Sequence, residues 1–270
     1  FDPGQEESVC YVDGDLSEWT EEDKIFDTGE KSLSMKYDER FIYLLAYEKG
    51  FSNGEKKLYI PLDVTPNTGS TYCENYGLRF TQPVDFVLTI DGADNSRLEV
   101  QERYEVLRAM FYHETHNEDA YLVPPDADTP VFKPINLMLQ TATPLLTGNW
   151  LASSDVYETG KLAYGNADPS SPDYNSLADF IFAGDYVELK LPWQLLNFAD
   201  PSRMTIHDDY YNDNYGVAYI TIDALYLGLA NGAEEGRISL HPAALQGWGN
   251  KVTYHERLKS SYYTMQALWR

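Results

Sequence analysis

Alternating apolar and polar residues in the first quarter of the chain predict β-strands. Leu33, Met35 and Tyr37 recur at every second position, the period of a strand with one buried face. The run from Phe41 to Tyr47 is apolar nearly throughout, so both faces of that strand should be covered. Three polar residues separate these two runs, which is a break of hairpin length. A third alternating run covers residues 58–64, and together the three runs indicate an antiparallel sheet with an inner core face.

Later strands are predicted over residues 78–91, 180–191 and 217–230, the second of them as a hairpin turning at 183–185. The residues expected to face the core in these strands are Phe86, Leu88, Ile90, Val187, Leu189, Leu191, Ile220, Ile222 and Tyr226.

The C-terminal segment changes from strand period to helix period. Tyr254, Leu258, Tyr262, Met265 and Trp269 recur at helical spacing, which predicts an amphipathic helix packed on the sheets. Residues 144–176 are rich in Gly, Ser, Asn and Pro and are predicted to form a long loop. The predicted fold is an all-β, antiparallel β-sandwich of the jelly-roll or immunoglobulin-like kind, with long loops and a C-terminal helix. No repeat or linker is visible, so residues 1–270 are expected to form a single domain.

Composition narrows the classes of partner. The chain carries 43 acidic and 20 basic residues, a net charge of -23, and no basic stripe that could bind nucleic acid. Polyanionic substrates are disfavoured for the same reason, whereas cations and neutral polysaccharides are compatible. No apolar run reaches the ~18 residues of a membrane-spanning helix. The sequence begins at Phe1 without Met or an apolar leader, as expected of a mature protein or an excised domain.

The two cysteines, Cys10 and Cys73, permit two interpretations. They could form one disulfide, or they could be two separate buried thiols, and the sequence does not decide between these.

The first quarter of the chain also carries a resemblance to a known family. Val12 to Trp19 reads V-D-G-D-L-S-E-W, and Lys36 to Leu44 reads K-Y-D-E-R-F-I-Y-L. These stretches resemble the entry turn and first hairpin of family 9 carbohydrate-binding modules and DOMON-like β-sandwich domains, and residues 186–193 and 220–223 fit later strands more loosely. The resemblance implies a β-sandwich fold and a sugar-binding function. It also implies an extracellular or cell-surface location, within a larger bacterial surface or secreted protein.

Sugar binding requires flat aromatic faces beside polar groups that satisfy hydroxyls. The densest candidate is the stretch 208–215, in which Tyr210, Tyr211 and Tyr215 alternate with Asn212 and Asn214. The alternative is a solvated loop whose tyrosines pack on neighbouring loops.

Trp150 and Trp248 are further candidates, because each lies beside glycine in a stretch without an evident core pattern. Burial against a loop is the alternative for each of them. Trp19 and Trp193 follow core patterns and are interpreted as structural.

Calcium is the cation that suits this composition, since it prefers oxygen ligands in turns. Asp91, Asp94 and Asn95 form a candidate partial site, which does not match a full EF-hand loop. The alternative is that these side chains cap their own turn.

No nucleophile elbow or phosphate-binding loop occurs, and 43 acids make a carboxylate pair uninformative about glycosidase chemistry. The sequence therefore favours a non-catalytic accessory domain that binds a neutral polysaccharide or oligosaccharide. The alternatives are a structural or protein-interaction domain without a sugar site and, less favoured, a polysaccharide-active enzyme.

Overall fold

Antiparallel strands dominate the computed structural model of the chain. The structure describes residues 10–105, 125–140, 143–144, 146–148, 150–152, 155–208, 218–232, 236–249 and 260–269.

The first sheet has five strands and contains both hairpins predicted for it. Its order is β1 (Lys24–Asp27), β2 (Lys31–Tyr37), β3 (Phe41–Glu48), β15 (Tyr186–Pro192) and β14 (Phe180–Ala183). The predicted turn at 183–185 is confirmed, since Ala183 pairs with Tyr186 across a two-residue connection.

The second sheet has six strands. Its order is β20 (His241–Ala244), β19 (Ala224–Leu227), β4 (Leu58–Asp63), β7 (Phe86–Ile90), β8 (Arg97–Gln101) and β9 (Phe132–Pro134).

One hydrophobic cluster joins the inner faces of the two sheets. Fully buried members from the first sheet include Leu33, Ile42, Leu44 and Leu189, and those from the second include Ile60, Leu88, Leu98 and Leu227. Removing this apolar surface from water is the main driving force that holds the sheets together. The predicted antiparallel β-sandwich is confirmed.

Shorter elements complete the described part of the chain. The remaining strands are β5 (Ser70–Cys73), β6 (Leu78–Val84), β10 (Asn136–Gln140), β11 (Thr143–Pro144), β12 (Trp150–Ala152), β13 (Asp155–Glu158), β16 (Phe198–Asp200), β17 (Thr205–His207) and β18 (Tyr219–Thr221). The α-helices are α1 (Gly92–Asn95) and α2 (Ser260–Leu268), and 3-10 turns occupy Leu16–Glu18, Glu21–Asp23, Trp193–Leu196 and Pro201–Arg203.

The single strand predicted over 78–91 is wrong, because the chain changes sheets at Asp85. β6 pairs with β5 in a separate two-stranded sheet, whereas β7 lies between β4 and β8. The Asp85 carboxylate is fully buried and accepts hydrogen bonds from the backbone N–H groups of Val64 and Thr65 at 2.8 and 3.0 Å. The Asp85 side chain therefore connects the point where the chain changes sheets to the residues that follow β4. The alternation of apolar and polar residues does not predict this change of sheet.

The long strand predicted over 217–230 is also wrong. β18 belongs to a three-stranded sheet with β16 and β17, and β19 belongs to the six-stranded sheet. The break resets the alternation, so Leu225 and Leu227 face the core while Tyr226 is 38% exposed. A one-residue change of register moves a whole set of side chains to the other face, and for this reason the alternation predicts the wrong face for Tyr226.

The C-terminal helix is present as α2, but its predicted packing on the sandwich is wrong. Every residue from Ser261 to Trp269 is exposed, and Trp269 is 79% exposed. Tyr254 and Leu258 lie outside the described residues.

The predicted loop 144–176 contains regular structure at its beginning. β13 pairs with β10, which precedes the predicted loop, in an antiparallel ribbon, and β11 pairs with β12. Strands therefore occupy part of the stretch that composition predicts to be a loop. Leu137 and Tyr157 are paired across this ribbon and are 46% and 62% exposed.

Both cysteines are free thiols and both are buried. Cys10 belongs to a cluster with Val12 and Tyr43 on the outer face of the first sheet. Cys73 belongs to a cluster on the outer face of the second sheet, so the interpretation as two separate thiols holds. No helix in the described ranges is long and apolar enough to cross a membrane.

Candidate functional site

An open pocket of about 450 Å³ lies where the β2–β3 turn meets the segment after β20. It is lined by Tyr37, Asp38, Glu39, Gln246, Gly247 and Trp248. We call it the aromatic pocket. Its volume is in the range of small-ligand sites, which runs from roughly 300 to 1,000 Å³.

Trp193 packs against two of the residues that line the aromatic pocket. This indole is fully buried, and its ring centroid lies 5.7 Å from that of Tyr37 and 6.1 Å from that of Trp248. Its Nε1–H donates a hydrogen bond to the carbonyl oxygen of Asp38 at 2.8 Å. One core side chain therefore fixes two aromatic walls and the turn between the strands, which confirms that Trp193 is structural.

The turn between β2 and β3 is closed by Asp38. Its Oδ1 accepts from the backbone N–H groups of Arg40 and Phe41 at 2.8 and 2.9 Å, and its Oδ2 accepts from the Tyr43 hydroxyl at 2.8 Å. An aspartate that bonds to backbone N–H groups two and three residues ahead is a common way to stabilise a tight turn. Asp38 thus holds Glu39 at the exposed tip of the turn.

Two glycines fix the backbone on either side of Trp248. A Cβ at Gly247 would lie 2.6 Å from the Ser202 carbonyl oxygen, so only glycine permits this close approach. Gly249 has φ +70°, a left-handed conformation that favours glycine, and its N–H donates to the same Ser202 oxygen at 2.8 Å. These constraints fix the backbone on both sides of the indole.

The two walls are joined by a hydrogen bond. The Gln246 backbone N–H donates to the Tyr37 hydroxyl at 2.8 Å. Tyr37 and Trp248 are each half-buried, whereas the Glu39 and Gln246 side chains are exposed. The pocket therefore combines two positioned aromatic rings with polar groups open to solvent, an arrangement that can bind a ligand with one apolar face and a polar edge.

Of the aromatic residues that the sequence proposed for binding, Trp248 lies in the pocket. Trp150 is the first residue of β12, where its backbone pairs with Pro144. Tyr210, Tyr211, Asn212, Asn214 and Tyr215 lie outside the described residues.

The candidate calcium ligands lie at α1. Asp91 immediately precedes this helix, and its carboxylate forms an ion pair with Lys57 at 2.7 Å. Asp94 and Asn95 are exposed within the helix. Calcium binding at these residues stays a prediction.

A second polar arrangement lies on the outer face of the first sheet, at Glu188 of β15. Its Oε1 accepts from the Trp19 Nε1–H at 2.7 Å and the Cys10 thiol at 3.3 Å. Its Oε2 accepts from the backbone N–H groups of Asp13 and Gly14 at 3.1 and 3.0 Å. We call this arrangement the Glu188 clamp, because one carboxylate fastens the acidic entry turn to the middle of the sheet.

Burial raises the pKa of Glu188 above its usual value, and the four donated hydrogen bonds act in the opposite direction. Burial and the nearby Glu188 carboxylate raise the pKa of the Cys10 thiol, so the thiol keeps its proton and donates. Ligand atoms of Cys10, Glu18 and Glu188 lie within 4.8 Å of one another. Because four donors occupy the two oxygens of Glu188, the geometry is that of a structural hydrogen-bond network.

The residues that sequence reasoning missed are Tyr37, Asp38, Glu39 and Gln246 in the pocket, and Glu188 in the clamp. Tyr37 was assigned to the core, and no local signal brings residue 248 next to residue 38. For Glu188 a signal existed. The neighbouring strand β3 was expected to be covered on both faces, and a charged residue paired with it should then be buried as well.

Comparisons of the chain with protein-family models, with curated proteins and with solved structures find no match.

Proposed function

We propose that this chain is a non-catalytic carbohydrate-binding protein and that the aromatic pocket is its binding site. One observation carries the proposal. Trp248 and Tyr37, which come from two different segments, both line an open pocket whose lining includes the polar side chains of Glu39 and Gln246. Pyranose rings have an apolar C–H face and hydroxyls around the edge, so they match an aromatic wall with a polar rim.

The pocket suits binding better than hydrolysis. A glycosidase needs two carboxyl groups that are free to exchange protons or attack the sugar. Both oxygens of Asp38 accept hydrogen bonds that close its turn, which favours a structural role for this carboxylate. The resemblance of the entry turn to sugar-binding modules supports the same conclusion and extends it to an extracellular or cell-surface location within a larger protein.

Affinity electrophoresis through gels containing soluble neutral polysaccharides tests the proposal. We expect at least one polysaccharide to retard the protein and Trp248→Ala to abolish the retardation. Trp269→Ala is the matched control, because this exposed tryptophan is not part of the pocket. A Trp248→Ala variant that is retarded like the parent would refute the assignment.

A second variant separates loss of binding from loss of folding. The Gln246 side chain is exposed, and its contact with Tyr37 uses the backbone, so Gln246→Ala should fold normally. We expect it to weaken retardation by removing an amide that can bond to a hydroxyl. Release of reducing sugar during these experiments would instead favour the polysaccharide-active enzyme.

The protein-interaction alternative is favoured by a different observation. The β10–β13 ribbon exposes apolar side chains on both faces, including Leu137, Leu139, Val156 and Tyr157. An interaction domain without a sugar site would show no retardation by any polysaccharide.

A further inference from the structure

We infer that the aromatic pocket prefers a glycan with a free amine, such as a glucosamine oligomer, over neutral and acidic glycans. This inference rests on the proposed function and specifies the class of sugar that the same site takes.

The first argument is the inventory of hydrogen-bonding groups in the pocket. Among its six lining residues, Asp38 and Glu39 are carboxylates, Gln246 is an amide, and none is Lys, Arg or His. A carboxylate only accepts hydrogen bonds, and an ammonium group only donates them, whereas a sugar hydroxyl does both. Because both Asp38 oxygens already accept hydrogen bonds within the turn, the exposed Glu39 carboxylate is the group that complements an ammonium better than a hydroxyl. Both carboxylates repel a uronate.

The second argument is that two arginines beside the pocket, among the residues that the structure describes, make their contacts outside it. The Arg40 guanidinium lies over the Phe41 ring, 5.7 Å from its centroid. Arg203, whose Cα is close to Gly247, places its Nε 3.7 Å from an Asp200 oxygen. Neither of these side chains lines the pocket, so neither neutralises its carboxylates from within.

The third argument concerns the aromatic walls. A cation held within about 6 Å of a tryptophan or tyrosine ring is attracted by the negative face of the ring. Trp248 and Tyr37 line the same pocket as Glu39, so an amine that enters the pocket can gain from both kinds of group. The net charge of -23 also concentrates cations near the whole protein, and for that reason the test must separate the pocket from the general surface.

Isothermal titration calorimetry of the full chain with three oligomers of equal length tests the inference. These are glucosamine, N-acetylglucosamine and glucuronate oligomers, at about pH 6, where an amine is protonated. We expect the glucosamine oligomer to bind roughly three- to thirtyfold more tightly than the N-acetylated one, from one cation–π contact and one exposed ion pair. The glucuronate oligomer should bind most weakly.

Three variants test whether the preference for the glucosamine oligomer arises in the aromatic pocket. Glu39→Gln should bring the ratio of the two Kd values towards one, whereas Glu22→Gln, which removes the same charge at an exposed position outside the pocket, should leave the ratio unchanged. Trp248→Ala should lower the ratio as well, because it removes the cation–π contact. A ratio that stays unchanged in both Glu39→Gln and Trp248→Ala would overturn the inference, because the preference would then arise from the overall charge.

The failure of this inference differs from the failure of the proposed function. Equal affinity for the glucosamine and N-acetylated oligomers, both lost in Trp248→Ala, overturns the amine preference and leaves carbohydrate binding in place. Tighter binding of glucuronate also overturns the preference alone. Absence of binding to all three oligomers and to every neutral polysaccharide overturns both.

Discussion

Two buried carboxylates each fix the backbone of another segment of the chain through hydrogen bonds. Glu188 and Asp85 are both fully buried, and neither is paired with a cation in the described structure. Each is satisfied instead by backbone N–H groups and neutral side chains. Burying a charge without its water is costly unless such donors replace it, so these two positions should be sensitive to isosteric substitutions.

Glu188→Gln should destabilise the protein by about 1–3 kcal/mol. A glutamine has one acceptor oxygen, and its amide N–H group would face either the Trp19 indole N–H or two backbone N–H groups. Urea denaturation followed by circular dichroism measures the change in the free energy of unfolding.

A double-mutant cycle tests whether the destabilisation by Glu188→Gln comes from the lost hydrogen bond with Trp19. Trp19→Phe alone loses one hydrogen bond, but in the Glu188→Gln background it also removes the opposing N–H group. The combined cost should therefore be smaller than the sum of the single costs. Strict additivity would contradict the clamp.

Asp85→Asn should change how stability depends on pH. Burial, followed by the nearby Asp63 charge, raises the pKa of Asp85 from 3.8 to about 7. The folded state therefore binds a proton more tightly than the unfolded state. The stabilising contribution of this proton is complete below about pH 4 and is lost as the pH rises to about 7. Through Asp85, the free energy of unfolding should fall by at most about 1.4 kcal/mol for each unit of rise in pH.

An asparagine at this position can keep the necessary hydrogen bonds. Its oxygen can accept from Val64 and Thr65, and its amide can donate to the Thr68 hydroxyl, which bonds to Asp85 at 2.6 Å. We expect the difference in unfolding free energy between Asp85→Asn and the parent to shift in favour of the variant between pH 4 and 7. Asp94→Asn, at an exposed position, is the matched control. A parallel pH profile for Asp85→Asn and the parent would contradict this assignment.

At the scale of elements, the sequence predicts the strands of the two sheets well wherever apolar residues alternate without interruption. The β2–β3 and β14–β15 hairpins follow the alternation and the intervening turn residues. The errors at 78–91 and 217–230 arise where one alternating run serves two different sheets. Periodicity reports which side chains share a face, but it does not report where the backbone leaves one sheet for another.

The β10–β13 ribbon differs from the other strands in how little of its apolar surface is buried. Leu137→Ala should therefore change the unfolding free energy by less than about 0.5 kcal/mol. Leu189→Ala in β15, where the same side chain is fully buried, should cost about 2–5 kcal/mol. Thermal or urea denaturation compares the two. A cost above 2 kcal/mol for Leu137→Ala would show that the ribbon is covered in solution.

At the scale of the whole molecule, the site was less predictable than the fold. Trp248 was recognised because glycine flanks it on both sides, a local signal. Its partners Tyr37 and Glu39 come from a turn more than 200 positions earlier in the chain. The packing of Trp193 and the hydrogen bond from Gln246 to Tyr37 bring the two segments together. A pocket built across two distant segments leaves no mark in the periodicity of either.

The overall charge makes a final prediction about stability. Even if all 20 cations were paired, 23 of the 43 acids would remain without a partner, and this excess destabilises the compact state by self-repulsion. Ion pairs such as Lys49–Glu30 and Arg203–Asp200 are exposed pairs of a kind that contributes little. Raising NaCl from about 0.05 M to about 0.5 M shortens the screening length and should raise Tm in calorimetry at pH 7. The same salt series near the isoelectric point, pH 4.4, is the control, because the net repulsion vanishes there. An equal rise in Tm at both pH values would trace the salt effect to ion exclusion from the surface and contradict self-repulsion.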